Sequence, residues 1–202
     1  SGKSTDEIFN MLNLSLKKVI PFDGMVLTLL NDTNTFLTVK NVVFNNGFFH
    51  NLVRKGDRYL ASQKTLNVIL NNQQKILNID NLGVYCKENE MHDVFGDLHS
   101  NGINSLLAVT LLLKEQPRGV IFFLSGIRAA FKGHHITFVK SIAGQIALSV
   151  QRTELMKEIE NHSKNLEKLV NERTEEVLKT QRTTIFALSS LADARDTETG
   201  DH

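Results

Sequence analysis

The stretch from about His135 to Arg195 limits the fold more than any other, because it holds no Pro and, after Gly144, no Gly. Such a run reads as one long helix, or as two nearly end to end. Its first third, ITFVKSIAGQIALSV, places Ile142, Ile146 and Val150 on one stripe with Val139, Ala143 and Ala147 beside them. That stripe is wide enough to lie on a globular core. From Leu155 it narrows to Leu155, Ile159, His162, Leu166, Leu169 and Arg173, at steps of four and three, with Glu and Lys on the flanks. This is the pattern of a parallel coiled coil, and so thin a seam needs a second helix to bury it. About fifty-five helical residues at roughly 1.5 Å each would span on the order of 80 Å, so the helix is expected to leave the domain it starts in.

The seam is not uniform. Leu169, Arg173 and Val177 step by four and four, and the series then runs on through Thr184, Leu188 and Leu191. Such an inserted four-residue stutter unwinds a left-handed coil locally and divides an upstream register from a downstream one. His162 and Arg173 lie within the seam, where a polar side chain either fixes register and pairing or reaches outward to water.

Charge narrows the partners. Residues 1–150 carry 15 Lys/Arg and 11 Asp/Glu, and 151–202 carry 8 and 11. Neither part is basic enough for nucleic acid to be the main partner. Cys86 is the single cysteine, and the sequence holds neither a secretory signal nor an eighteen-residue apolar run. The expected setting is therefore the reducing cytoplasm, with no membrane segment in this chain. It opens without Met and stops at His202, so it is read as an excised piece of a longer protein.

In order, residues 4–20 form a capped amphipathic helix with Asp6 and Glu7 in its first turn and Ile8, Leu12, Leu16 and Val19 or Ile20 on one face. The preceding Gly-Lys-Ser lacks the earlier glycine of a phosphate-binding loop and is read as leader and cap. Past Pro21, FDGMVLTLLND and FLTVKNVVFN make a hairpin about Asn31, Asp32 and Asn34. Residues 47–61 read as loop with room for a short helix. A helix capped by Ser62, with Leu66, Ile69 and Leu70 inward, leads to the strand KILNID. Residues 80–103 form an irregular cover with a turn or two of helix near Met91–Leu98. INSLLAVTLLL and GVIFFLSG are the strongest strands, joined by KEQPR as a polar turn. This order gives an α+β fold, an antiparallel sheet with helices on one side and a loop-rich pocket on the other. Of Phe36, Phe44, Phe48, Phe49, Phe122 and Phe123, strand alternation sends some to the core and leaves others able to line a pocket.

Residues 4–152 resemble a GAF domain. The likeness lies in the entry helix, the helix–strand segment ending in Ile79 and Asp80, the hairpin SLLAVTLLLKEQPRGVIFFLSG, and the Phe131-led exit helix with Ile142 and Ile146. It implies a central antiparallel sheet, a pocket for an unidentified small molecule beneath the irregular cover, and homodimerisation through the first and last helices. No cyclic-nucleotide signature is recognisable, and Cys86 is followed by Lys87 rather than the His of bilin-attaching members. Arg54, Tyr59, Tyr85 and His99, in or beside the cover, are the polar candidates for the pocket.

Residues 153–183 are read as a coiled-coil signalling helix with Leu155, Ile159, His162, Leu166, Leu169, Arg173 and Val177 as its dimer seam. Residues 184–202, TIFALSSLADARDTETGDH, resemble the first helix of an HD-GYP phosphodiesterase domain, with Ile185, Leu188 and Leu191 at core positions. Arg195, Asp196, Glu198, Thr199, Gly200 and His202 match the motif position by position. The resemblance implies that Glu198 and His202, four apart on one helix face, belong to a divalent metal centre of the iron or manganese type in the parent protein. The other ligands, the later His-Asp pair and the Gly-Tyr-Pro segment are not in the sequence, so no cofactor and no catalytic residue is expected in this piece.

Other residues have plain readings. His92-Asp93 lies upstream of the motif and is no catalytic pair. Cys86, His92 and His99 fit no structural zinc spacing and read as loop polar groups. His134 and His135 cap or flank the exit helix. The expected function is the sensory part of a bacterial signalling protein, transmitting through a dimeric coil to a cyclic di-GMP phosphodiesterase; the alternative is a GAF dimerisation module that binds no ligand.

Overall fold

The computed structural model describes residues 5–31, 33–45, 52–60, 64–73 and 75–199, with backbone alone for Thr5, Ile8 and 191–199. Ser1–Glu154 forms one compact unit and Leu155–His202 another. The elements in chain order are α1 (Thr5–Leu16), β1 (Gly24–Leu30), β2 (Phe36–Phe44), β3 (Arg58–Leu60), α2 (Lys64–Leu70), β4 (Ile76–Ile79), α3 (Leu82–Glu88), α4 (Val94–Ser100), β5 (Ser105–Leu113), β6 (Gln116–Ser125) and α5 (Gly133–Thr199). The strands form one six-stranded sheet in the order β3-β2-β1-β6-β5-β4, and every neighbouring pair is antiparallel. The expected α+β architecture is what the chain adopts.

The central strands read as apolar runs, not alternations, because both faces of the sheet are covered. Met25, Leu27 and Leu29 of β1 join Ile121 and Phe123 of β6 in a core under α1 and the first turns of α5. Val26 of β1 and Val120, Phe122 and Leu124 of β6 face the opposite way, into a second core with α2, α3 and α4. Helices on one side only is therefore corrected to helices on both. The irregular cover at 80–103 consists largely of two helices of seven residues each, too short to form alone and held by Leu82, Cys86, Phe95 and Leu98 on the sheet. Asn81 caps α3, its side chain accepting the Val84 N–H at 3.2 Å.

Two other readings change. Within 47–61, Arg58–Leu60 is a strand, made so by pairing with Phe36–Thr38 of β2. The β5–β6 turn is the two residues Lys114 and Glu115, both left-handed with φ of 49° and 63°, which suits the twist of a tight hairpin. Pro117 lies inside β6, beside the irregularity at Leu111/Leu112 where its missing N–H is tolerated. Gly119 sits opposite Leu29, and a Cβ there would run into the Thr28 carbonyl.

On the first core, Phe9, Leu16 and Ile20 are the buried apolar residues among those described in the entry segment, while Val19 is exposed. Asp6 at the head of α1 accepts from Lys55 Nζ at 2.7 Å and from the Asn41 amide, tying the helix to β2 and the loop after it. Val139, Ala143, Ile146, Ala147 and Val150 bury one face of α5, with Ile142 at its margin. At its start the His135 ring Nδ1 accepts the Lys132 N–H at 3.0 Å, as a Glu three positions into a helix does in a capping box. Burial lowers the His135 pKa first, then the neighbouring His134 and Lys132, against a contact with the Ala130 carbonyl that raises it. Among the described residues no helix is long and apolar enough to cross a membrane.

In the second unit, Leu155, Ile159, Leu166, Leu169 and Val177 are 49–67% exposed. His162 and Arg173 are exposed with them; Arg173 pairs with Glu176 of its own helix at 2.7 Å, and Lys164 with Glu160 at 2.9 Å.

Candidate functional site

One concavity in the first unit lies between the sheet and its second helical layer. Val26 and Thr28 of β1, Leu37 and Val39 of β2, and Phe122 and Leu124 of β6 make its floor; Val53, Tyr59, Leu66 of α2, and Val94, Phe95 and Leu98 of α4 make the rest. Strand alternation explains the floor, since each contributing pair is spaced by two. The cavity is small, about 40 Å³. Thr28 brings its only hydroxyl from the floor, and that hydroxyl already donates to the Val120 carbonyl at 3.0 Å.

Of the four polar candidates, the structure brings one to this cavity. Tyr59 lines it from β3, with its phenol pKa raised by burial and then by Asp57 and Asp97, so it stays protonated. Arg54 is exposed, in a turn closed by its own backbone N–H donating to Asp57 Oδ2 at 2.8 Å. Tyr85 packs edge-on against Phe95 at 6.2 Å between ring centres, behind the cavity wall. His99 lies between α4 and α3, its Nδ1 3.3 Å from the Ile103 carbonyl and its ring against Gly83. Val53, Leu66, Val94, Phe95 and Leu98 complete the described lining; the sequence marked Leu66 as inward but none of them as bounding a cavity, because apolar residues at helix and loop positions look alike whether they fill a core or bound a cavity.

The aromatic residues divide as their strand positions require. Phe122 lines the cavity, whereas Phe123 points into the other core and meets Phe22 edge to face at 5.3 Å. Phe44 packs on the cavity side, Phe36 is exposed on β2, and Phe48 and Phe49 lie outside the described residues. Cys86 is buried and its thiol pKa is raised by burial and then by Asp93, which keeps it from acting as a thiolate. Asp93 accepts from the Thr65 hydroxyl and N–H, fastening α2 to the start of α4. Among the described residues no three His, Cys, Asp or Glu side chains cluster as metal ligands would. The side chain of Glu198, the whole of His202 and the Ser62 cap lie outside the described residues. A more open groove, about 440 Å³ and lined by Leu30, Asn34, Thr35, Leu60, Asn67 and Pro117 among others, carries no charged group among the described residues.

No family model matches the sequence, and no curated protein matches it. Solved structures do match. The GAF domain of a two-component sensor histidine kinase from Bacillus halodurans superposes with a TM-score of 0.61 at 18% identity, over 77% of this chain and 99% of that one. The fold is that of a GAF domain. A GAF domain/HD domain protein from Geobacter sulfurreducens superposes with a TM-score of 0.60 at 16% identity, covering 77% of this chain and 98% of that one. A far-red-absorbing protein in its dark state with bound biliverdin superposes at 0.55 and 11% identity, covering 73% and 90%. At these identities the shared property is the GAF fold, six antiparallel strands with helices on both faces, followed here by the remainder of α5.

Proposed function

We propose that this chain is the sensory and transmitting part of a bacterial signal-transduction protein, with a GAF-fold domain coupled by a parallel coiled coil to an HD-GYP cyclic di-GMP phosphodiesterase domain. The observation that carries the reading is the series Leu155, Ile159, Leu166, Leu169 and Val177, all exposed along one helix at coiled-coil spacing. Large apolar side chains in such a row call for a second copy of the helix. His162 and Arg173 within the row set register and pairing, and the stutter after Leu169 lets the seam take an upstream or a downstream register. A ligand alters the output only by preferring one of these arrangements. The likeness of residues 184–202 to the opening helix of an HD-GYP domain supplies the output, with Glu198 and His202 as two of its metal ligands in the parent protein, and the Geobacter GAF domain/HD domain protein supports that pairing of domains.

Sedimentation equilibrium tests the seam. The chain is expected to be a dimer, and Leu166→Asp with Leu169→Asp a monomer whose far-ultraviolet spectrum still shows the folded sheet. A monomeric parent chain would refute the transmitter reading. The second reading, a dimerisation module that binds nothing, draws support from the small cavity flanked by Phe95 and Phe122. A metabolite panel giving no thermal shift, together with a protein carrying no co-purified molecule, decides for it.

A further inference from the structure

The cavity itself restricts what a GAF-fold sensor of this sequence can hold. Among the described residues the surface presented to it is apolar: ten of the twelve that line it are Val, Leu or Phe, and the two with hydroxyls bring no free polar group into it. Thr28 spends its hydroxyl proton on the Val120 carbonyl, and Tyr59 contributes its ring. Among the described residues no Lys, Arg or His lines the space, and Arg58 and Lys55, the described cations nearest in sequence to Tyr59, are exposed. A phosphate, carboxylate or nucleobase placed here would lose its hydration and find no partner.

Size limits the occupant further. A dry cavity of about 150 Å³ lined by Leu, Ile and Phe takes benzene or xenon, and this one is about 40 Å³. From polarity and volume together, and on the sensor reading above, we infer that the site takes a small, uncharged, apolar molecule of very few heavy atoms, held by dispersion contacts alone. Binding of this kind needs neither metal nor cofactor. It discriminates by shape and by the exclusion of anything that carries hydrogen-bonding groups.

Methyl-resolved NMR of the whole chain under xenon tests the inference, with cyclic GMP as the polar comparison. The expected result is saturable shifts at the methyls of Val26, Leu37, Val39 and Leu98 with xenon, and none with cyclic GMP. Val39→Ile, which fills part of the space, is expected to weaken the xenon response several-fold, and Phe122→Leu, which enlarges it, to strengthen the response. Should Val39→Ile fail to fold, Phe122→Leu still decides. Absence of a xenon shift at those methyls, a cyclic GMP shift at the same methyls, or a response indifferent to Phe122→Leu would overturn the inference. Sedimentation of the same samples reads the dimer separately, so loss of the apolar site and loss of the transmitter reading appear in different measurements.

Discussion

Gly83→Ala tests how the two short helices over the cavity are held, because its sign should depend on a single neighbour. A Cβ at Gly83 would lie 2.5 Å from His99 Nε2 and 2.7 Å from Cε1, well inside contact distance. The imidazole cannot simply swing away, since its other nitrogen lies 3.3 Å from the Ile103 carbonyl. Forcing a methyl into such a contact costs about 1–3 kcal/mol. Against this, Ala in place of Gly within a helix favours folding by about 0.8–1 kcal/mol, and Gly83 lies within α3. The two effects together leave the substitution destabilising by up to about 2 kcal/mol. With His99 removed the clash vanishes, and only the helix preference remains. In a His99→Ala background Gly83→Ala should therefore stabilise by roughly 0.8–1 kcal/mol, a reversal of sign with coupling of about 1–3 kcal/mol between the positions. Urea unfolding of the four proteins, followed by fluorescence and circular dichroism, gives the cycle. If Gly83→Ala stabilises equally in both backgrounds, the packing of α4 on α3 through His99 is wrong.

Phe123→Ala empties a fully buried site that also holds the edge-to-face contact with Phe22; a loss of about 3–5 kcal/mol is expected in the same urea assay, and less than about 1 kcal/mol would contradict the burial. For His135, native burial favours the neutral ring, so its folded pKa lies below the ordinary value near 6.5. Its contribution is then complete above that ordinary value and declines as pH falls through the interval down to the lowered one, because there the unfolded chain binds the proton more readily. Unfolding measured from neutral to mildly acidic pH should show this slope, and His135→Gln, which can still reach the Lys132 N–H without titrating, should flatten it. Gly119→Val should abolish the pairing of β1 with β6 at Leu29 and yield little soluble protein, whereas Gly133→Ala, with open space around it, should be tolerated; equal yields would argue against the close approach.

The strands β1, β2, β5 and β6 were legible because seven to ten residues of apolar or alternating sequence leave few other options, and the helical turns of α5 because Val139, Ala143, Ile146 and Val150 repeat cleanly. β3 was not, since Arg58, Tyr59 and Leu60 have no pattern of their own and are a strand only through β2. α3 was hidden, and α4 showed only as a turn or two of helix near Met91–Leu98, for a related reason: so short a helix is held by the sheet beneath it more than by its own sequence. The cavity was the least legible feature. Its lining comes from seven separate parts of the chain; of the polar residues read near the cover only Tyr59 lies on it, and Val53, Phe95 and Leu98 were passed over as pocket residues. Polarity is a poor guide to a site whose walls are hydrocarbon.

Phe122 and Phe123 are joined by one peptide bond, yet they belong to opposite sides of the sheet. A rotation about the backbone angles on either side of that planar bond, if it made room beside Phe122, would also turn Phe123 against Phe22. The strand thus acts as a torsion bar, its two handles set half a turn apart. The stiffness of β6, read as the softening or broadening of the Phe123 ring-flip resonances when the other side is filled, would measure how much strain crosses the sheet.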